Sequence, residues 1–296
     1  MTIGEKIKKL RSDKMMSQSE LAGSEITRNM LSQIEHGSAL PSLGTVNYIA
    51  SRLNVSPGFL LANEEDERLY LKNAAIDDIK KAYLGKNFEL CYDMCKRFAA
   101  EDDEITLILA ESSLMVGIEA FCRGELHTAA ELFEEALEHC SRSIYNTDTI
   151  ASSVKAYSAY MELISPTLTY DGRDDFETRI MLPLANQFVI YSGIITEAEW
   201  YGWDEVLLLD KRLALLPSDS LYYMHIKSRL GINSGDYREA YELLHELLYN
   251  ENYTLPEPML YLILCDIEIC CKEIDDFRGA YEYSSSKISL MQKLLS

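Results

Sequence analysis

The chain has 296 residues, with 48 Asp and Glu against 28 Lys and Arg, a net charge of −20 at neutral pH, and 47% hydrophobic residues. This hydrophobic share excludes a disordered chain, and the length is enough for one large domain or two ordinary ones. Because only 14 glycines and 7 prolines interrupt a sequence rich in helix-forming residues, we expect an all-α fold.

The N-terminus and the apolar runs bear on where the protein resides. The first residues, MTIGEKIKKLRSDK, are charged and lack the apolar centre of a signal peptide. The longest apolar run, residues 180–195, contains Pro183, Asn186 and Gln187, and it is too polar and too short to cross a bilayer. We therefore expect a soluble, cytoplasmic protein with no membrane partner.

The cysteines and histidines give little indication of catalysis. Cys91 and Cys95 share a helix face and Cys270 precedes Cys271, but no histidine stands at ligand spacing beside either pair. Buried thiols in a reducing compartment are favoured over a metal or redox site. The sequence shows no nucleophile motif and no phosphate-binding glycine loop. We expect no catalytic residues, no metal and no cofactor, so an enzyme is the least favoured function.

The charge is divided unevenly along the chain. Residues 1–62 hold seven basic and five acidic residues, a balance of +2, which leaves −22 on the remainder. The boundary coincides with the acidic run at 63–68, which reads as a linker or as the start of a new helix. We predict one domain over 1–62, a linker at 63–68 and a second domain over 69–296.

Residues 1–62 contain the signals of several short helices. Ser17 and Glu20 form a capping box, in which the hydroxyl and the carboxylate each accept a backbone N–H of the other residue. Thr27 is a suitable N-cap for a helix over 28–35, which Gly37 would end.

The helix over 28–35 presents two different faces. Leu31 and Ile34 are spaced to be buried, whereas polar side chains that can read base edges lie on the other face. These are Arg28, Asn29, Ser32 and Gln33. They lie near the helix N-terminus, the end that enters the major groove in helix-turn-helix proteins, although an ordinary solvated face would show the same residue types singly.

The first domain resembles the Cro and phage-repressor type of helix-turn-helix, the XRE family. The matching positions are Ser17-Gln18, Leu21-Ala22, Ile26-Thr27, Leu31-Ser32, Ile34-Glu35, Gly37, Pro41-Ser42 and Leu53-Val55. In one respect the chain differs from the family, because the turn before Ile26 is one residue shorter and Gly23 is displaced.

This resemblance implies a double-stranded DNA partner. Gln18 would contact a phosphate and brace the recognition helix, while Arg28, Asn29 and Gln33 would face bases. The complete predicted DNA-binding set is Ser17, Gln18, Thr27, Arg28, Asn29, Ser32, Gln33 and Ser42. The phosphate-facing charge comes mainly from the lysines of the first helix and Arg28, so one copy would bind weakly and with steep salt dependence. Family members act as dimers, which implies a homodimer on a near-palindromic operator.

Internal repetition dominates the sequence from residue 69 onward. The clearest units lie around Gly124-Glu-Leu-His-Thr-Ala and Gly235-Asp-Tyr-Arg-Glu-Ala, and weaker ones begin at Asn87, Trp203 and Asp276. The small residues, the aromatic and the turn glycine match the tetratricopeptide pattern of paired helices. We predict a tetratricopeptide-like helical-repeat solenoid, with a poor fit between about 145 and 185.

A solenoid of this kind has a concave surface lined by the first helix of each pair. The repeat register places Phe121 in one unit and Tyr222, His225, Arg229 and Asn233 in another on that surface. Such grooves bind peptides or protein segments. The same positions are also compatible with plain solvation or with packing between repeats.

The combination of the two domains resembles the Rgg/PlcR/PrgX type of peptide-sensing regulator from Gram-positive bacteria. That resemblance implies a cytoplasmic homodimer that binds an imported signalling peptide, as in quorum sensing, and changes its DNA affinity in response. It also implies asparagines that hold the peptide backbone, for which Asn186 and Asn233 are the nearest candidates.

Two hypotheses of different class follow. The first is a sequence-specific DNA-binding transcriptional regulator whose helical-repeat domain senses a small peptide or other ligand and mediates dimerisation. The alternative is a protein-interaction scaffold that uses the solenoid to bind a protein partner, with the first domain as a tether. The base-facing set of Arg28, Asn29 and Gln33 favours the first hypothesis.

Overall fold

The computed structural model describes residues 1–98, 102–165, 167–168, 186–206 and 209–295. In these ranges the regular secondary structure is helical throughout. The chain divides into two compact units, which we call unit 1, Met1–Lys80, and unit 2, Lys81–Ser296. The predicted all-α fold, a helix-turn-helix domain followed by a helical repeat, is confirmed.

Unit 1 begins with short helices that are each capped at the N-terminus by a side chain. They are α1 (Ile3–Asp13), α2 (Gln18–Ala22), α3 (Arg28–Glu35), α4 (Leu43–Leu53) and α5 (Pro57–Leu61). The N-cap residues Thr2, Ser17, Thr27, Ser42 and Ser56 each accept a backbone N–H three residues later. Both halves of the predicted capping box at Ser17 are present. Such caps stabilise helices too short to persist alone.

The core of unit 1 is apolar and continuous. It includes Ile7 of α1, Leu21 of α2, Leu31 and Ile34 of α3, and Ile49 of α4, each at most 1% exposed. The prediction that Leu31 and Ile34 form the buried side of α3 is therefore confirmed.

Helix α6 (Glu64–Leu84) follows directly. The acidic run at 63–68, for which the sequence allowed a linker or a helix start, is helical from Glu64 onward. Of the two alternatives that the sequence left open, residues 64–68 therefore correspond to the start of a helix. The domain boundaries drawn from the charge balance stay a prediction.

Unit 2 consists of longer helices arranged mainly as hairpins. They are α7 (Phe88–Lys96), α8 (Asp103–Cys122), α9 (Leu126–Arg142), α10 (Asp148–Ile164), α11 (Gln187–Tyr201), α12 (Leu209–Leu213), α13 (Leu221–Ser234), α14 (Tyr237–Tyr249), α15 (Glu257–Glu273) and α16 (Phe277–Leu294). Helix α8 has the length and composition of a membrane-spanning helix, with a mean hydropathy of 1.7 in its most apolar window. Half of that window is buried inside the protein, as expected of a core helix.

One turn geometry recurs between the paired helices of unit 2. Lys86, Gly124, Gly235 and Asp275 all have positive φ, between 56° and 87°. In each case the N–H of this residue donates to the carbonyl three residues earlier, and the next N–H donates to the carbonyl five residues before itself. Five residues after each turn stands a buried small side chain, namely Cys91, Ala129, Ala240 and Ala280. The repeat predicted from the sequence therefore corresponds to the same backbone geometry at each of these four turns.

The predicted unit at Trp203 departs from this pattern. Helix α11 ends at Gly202, a 3-10 helix follows over Trp203–Glu205, and α12 has only 5 residues. No long second helix follows α11 within the described residues, so the prediction of a regular hairpin here is wrong. Of the poorly fitting segment 145–185, α10 is a regular helix, while residues 169–185 lie outside the described residues.

Candidate nucleic-acid interface and ligand-binding region

Helix α3 is fixed to unit 1 through a buried carboxylate at its C-terminal end. Arg11 Nε donates to Glu35 Oε1 at 2.6 Å, and Gln18 Nε2 donates to Glu35 Oε2 at 2.7 Å. A second Arg11 bond to Oε2, at 3.1 Å, makes the ion pair bidentate. Burial raises the pKa of Glu35, but the bonds from Arg11 and Gln18 outweigh this effect and hold the pKa below its ordinary value. The Glu35 side chain is fully buried, so α3 is tied at once to α1 and α2.

A glycine in α1 allows the backbone of α3 to approach closely. A Cβ atom at Gly4 would lie 2.1 Å from the carbonyl oxygen of Ile34. Only glycine fits such a contact, because the obstructing atom belongs to the backbone of another helix and cannot rotate away.

The turn between α2 and α3 is held by α4. Tyr48 Oη donates to the Ala22 carbonyl at 2.9 Å, and Arg52 Nη2 donates to the Glu20 carbonyl at 2.7 Å. Gly23 has φ +58°, and a Cβ there would lie 2.3 Å from Tyr48 Oη. Glycine is therefore the residue that suits position 23 of this turn.

The opposite side of α3 is open to solvent. Arg28, Asn29 and Gln33 are exposed, and Ser32 is partly buried. Thr27 caps the helix, with its Oγ1 accepting from the Met30 N–H at 3.1 Å. The exposed side of α3 therefore presents one arginine and two amides, while the contacts on its other side fix the helix in place.

The remaining predicted DNA-contacting residues are engaged locally. Ser17 and Ser42 are exposed and serve as N-caps of α2 and α4. Gln18 is bonded to Glu35 of α3, and its contact with a DNA phosphate stays a prediction. Lys6 differs from the expectation for the first-helix lysines: it is 1% exposed, and its Nζ donates to the Phe59 and Ala62 carbonyls at the end of α5.

In unit 2 the predicted groove residues are brought together, but inside the molecule. Phe121 and His225 are fully buried, Arg229 is 9% exposed, and Tyr222 is partly buried. Phe121 and His225 are packed between helices, the alternative that the sequence left open, because α10 and α11 supply aromatic side chains around them; a ligand contact by these residues stays a prediction. We call this group the aromatic cluster; it comprises Phe121, Tyr157, Tyr160, Phe188, Tyr191 and Tyr222, with ring centroids 4.2–6.1 Å apart.

A chain of buried polar contacts continues from the aromatic cluster across the helices. Tyr160 Oη lies 3.0 Å from Tyr191 Oη, which lies 2.7 Å from His225 Nδ1. His225 Nε2 lies 2.8 Å from Asp266 Oδ2, and Arg229 binds both oxygens of Asp266, at 2.7 and 3.0 Å. The chain links α10, α11, α13 and α15.

The protonation states in this chain follow from burial and from the ion pair. Burial lowers the pKa of His225 despite its contact with Asp266. Burial alone would raise the pKa of Asp266, but Arg229 and His225 hold it below its ordinary value. Asp266 was not identified from the sequence. The spacing of His225 and Arg229 predicts that they share a helix face, but it does not indicate which acidic residue packs against that face, and Asp266 lies 37 residues after Arg229.

The two asparagine candidates are exposed and lie at helix ends. Asn186 is the N-cap of α11, with its Oδ1 accepting from the Val189 N–H at 2.8 Å. Asn233 lines an open cavity of about 570 Å³ between α13 and α14. In the described residues neither contacts the buried polar chain, and their assignment as peptide ligands stays a prediction.

Comparison with known proteins identifies the first domain. Residues 4–66 match a family described as "Helix-turn-helix domain". No curated protein matches the sequence of this chain. The predicted helix-turn-helix domain is confirmed by the family match.

The chain is also similar to solved structures of regulators. The apo form of the competence regulator ComR from Streptococcus vestibularis shares 20% identity, covers 94% of this chain and 97% of its own, and has a TM-score of 0.32. PlcR from Bacillus thuringiensis, in complex with the peptide PapR7 and DNA, shares 11% identity over 99% of this chain and 96% of its own, with a TM-score of 0.27. ComR from S. thermophilus, in complex with DNA and its signalling peptide ComS, shares 15% identity over 98% and 99%, with a TM-score of 0.22.

Proposed function

We propose that this protein is a sequence-specific DNA-binding transcriptional regulator. The observation that carries the proposal is the contrast between the two sides of α3. One side is locked by the Arg11–Glu35–Gln18 contacts, and the other presents Arg28, Asn29 and Gln33 to solvent. An arginine can bind guanine and an amide can bind adenine through paired hydrogen bonds, and a fixed helix holds both in register with successive bases.

The charge distribution supports a local interface. The basic balance of +2 is confined to residues 1–62, whereas the remainder of the chain carries −22. Since Lys6 is buried, phosphate contacts would come from the other first-helix lysines and Arg28. Few phosphate contacts give weak binding by one copy and steep salt dependence, so we propose that a homodimer engages a near-palindromic operator.

Unit 2 is proposed to receive a small peptide or another ligand and to carry the dimer contacts. Its hairpin repeat supports a binding role, and Asn186, Asn233 and part of Tyr222 remain accessible for it. Phe121 and His225 have no exposed surface, so a ligand would reach them only if α10 or α11 moved away from α13. We therefore propose ligand contacts at the accessible residues first.

The test is a selected-DNA binding assay on the full-length protein, with sequencing of the retained DNA at low and moderate salt. The wild type is expected to enrich a near-palindromic motif that is lost in Arg28→Ala with Gln33→Ala. The matched control is Arg278→Ala with Gln292→Ala, which removes the same side-chain types from exposed positions of α16 and should retain the motif.

Two outcomes would count against the regulator. Either no motif is enriched from folded protein at any salt, or the motif survives in the Arg28→Ala, Gln33→Ala variant. The scaffold hypothesis, in which unit 1 is only a tether, would then lead. Sedimentation equilibrium of the same samples tests the proposed homodimer separately from DNA binding.

A further inference from the structure

In the complete repeats of unit 2, the second helix of one hairpin covers the next hairpin. Helix α14 packs against α15. On the covered side of α15, Ile263, Ile267 and Cys270 are all 0% exposed. Helix α14 also approaches α16, where burial and the neighbouring Tyr249 and Tyr241 raise the pKa of Tyr283.

Helix α7 covers the α8–α9 hairpin in the same way. It packs against α8 and reaches α9 through polar side chains. Tyr92 Oη donates to Glu135 Oε2 at 2.7 Å, and Lys96 Nζ donates to Glu135 Oε1 at 2.5 Å. A covering helix therefore packs its apolar side chains against the first helix of the hairpin and makes polar contacts with the second helix.

On the α13–α14 hairpin, α11 packs against the face of α13 that carries His225, and within the described residues the face that carries Lys227 stays open. Counted from the turns at Gly235 and Asp275, Lys227 is equivalent to Ile267, yet Lys227 is exposed. The helix that precedes α13 is the 5-residue α12. In place of a covering helix there is the cavity of about 570 Å³, lined by Tyr223, Leu230 and Leu243 among others. We call this cavity the inter-repeat slot.

We propose that the inter-repeat slot is a docking site for an amphipathic, net basic helix of a partner protein. The partner helix would pack on the α13–α14 hairpin as α7 packs on the α8–α9 hairpin and as α14 packs on the α15–α16 hairpin. Its apolar stripe would contact Tyr223, Leu230 and Leu243, which are partly buried and lie at the edge of the apolar core.

The charges around the slot select a basic partner. Asp236 and Glu239 line it, against a single cation, Lys227. Glu246 stands at the position equivalent to Glu135, the acceptor of Tyr92 and Lys96, and it is exposed. At this slot an acidic segment would be repelled, whereas a basic helix would be attracted.

The experiment uses full-length protein and a defined probe. The probe is a fluorescein-labelled, end-blocked peptide with the sequence of residues 236–250 carrying Glu239→Lys, Glu242→Lys and His245→Lys. The last change places a lysine where α7 has Lys96, and together they make the peptide net positive. We expect saturable binding by fluorescence anisotropy, and weaker binding of the unmodified acidic sequence.

Protein variants locate the binding. Ser234→Trp fills the slot from its exposed rim and should abolish binding, and Glu246→Lys should weaken binding about tenfold. Glu134→Lys makes the same charge change at an exposed position of α9 and should leave the affinity unchanged. Circular dichroism establishes that each variant is folded.

The proposal is overturned if the basic peptide shows no saturable binding to the wild type. It is equally overturned if Ser234→Trp and Glu246→Lys bind the peptide as tightly as Glu134→Lys does, since the attraction would then be general. Neither result depends on DNA binding, so the regulator proposal is unaffected by either outcome.

Discussion

Both units hold an arginine–carboxylate pair, but they use it differently. In unit 1 the buried Arg11–Glu35 pair lies behind α3, and the polar residues proposed for recognition lie in front of it, exposed. In unit 2 the Arg229–Asp266 pair involves a proposed recognition residue itself and is buried with it. A buried pair fixes geometry in both units, but only unit 1 leaves its candidate residues free to bind a partner.

The largest expected effect comes from removing the charge at the centre of unit 2. Asp266→Asn removes the buried carboxylate that Arg229 and His225 share and leaves Arg229 only its ion pair with the partly exposed Glu199, which should cost about 3–5 kcal/mol. Urea unfolding followed by tryptophan fluorescence measures this loss of unfolding free energy, because both tryptophans, Trp200 and Trp203, lie in unit 2. Asp93→Asn, at an exposed position of α7, is the matched control. Equal stability of the two variants would show that the buried pair does not hold the helices together.

A smaller effect is expected where α1 meets α3. Gly4→Ala places a methyl group 2.1 Å from a backbone oxygen, so the helices must separate at a cost of about 3 kcal/mol. Faster hydrogen exchange of the α3 amides and weaker DNA binding would report the loosened contact between α1 and α3. Gly44→Ala, whose new Cβ would be 3.8 Å from its nearest neighbour, should not destabilise unit 1. Normal exchange in Gly4→Ala would contradict the close packing.

The Arg11–Glu35 pair gives a pH-dependent prediction. Glu35→Gln should destabilise α3 by about 2 kcal/mol near neutral pH, because Arg11 loses its ionic partner. The pKa of Glu35 is lowered in the folded state, so its stabilising contribution is complete above the ordinary value of 4.5 and is lost as the pH falls through the folded-state pKa. Hydrogen exchange at several pH values should show the difference between wild type and variant shrinking in acid. Glu25→Gln, which is exposed, should show no such trend.

The smallest effect is expected at an exposed ion pair. Arg278 and Glu282 are bonded at 3.0 Å on α16, but their side chains are 89% and 61% exposed. Arg278→Ala should change the free energy of unfolding by less than about 0.5 kcal/mol. Urea unfolding checks this value, and a larger loss would remove the distinction between buried and exposed pairs on which the comparison of the units depends.

What could be predicted from the sequence was local. Ser17 and Thr27 cap their helices through bonds to residues three positions away, and Gly124 and Gly235 form turns within a few residues. The proposed DNA-reading face needed only the helical spacing of Leu31 and Ile34.

The rest depended on contacts between distant segments. The register placed His225 and Arg229 correctly on one helix face, but Tyr191 and Asp266, 34 and 41 residues from His225, bury that face. Likewise, Glu35 reads as an exposed acid until Arg11 and Gln18 are brought against it. Periodicity predicts which side chains share a face, and the partner of that face is decided by tertiary packing.

The recurring turn of unit 2 has a consequence for where the helical array opens first. A left-handed residue other than glycine carries roughly 1–2 kcal/mol of strain. The turns at Lys86 and Asp275, beside the first and last helices of the unit, carry that strain, whereas Gly124 and Gly235 in the middle do not. Because each repeat is held mainly by its neighbours, fluctuations should begin at both ends and reach the centre last. We therefore expect the helices at the two ends of unit 2 to open first and the buried chain from Tyr160 to Arg229 to open last.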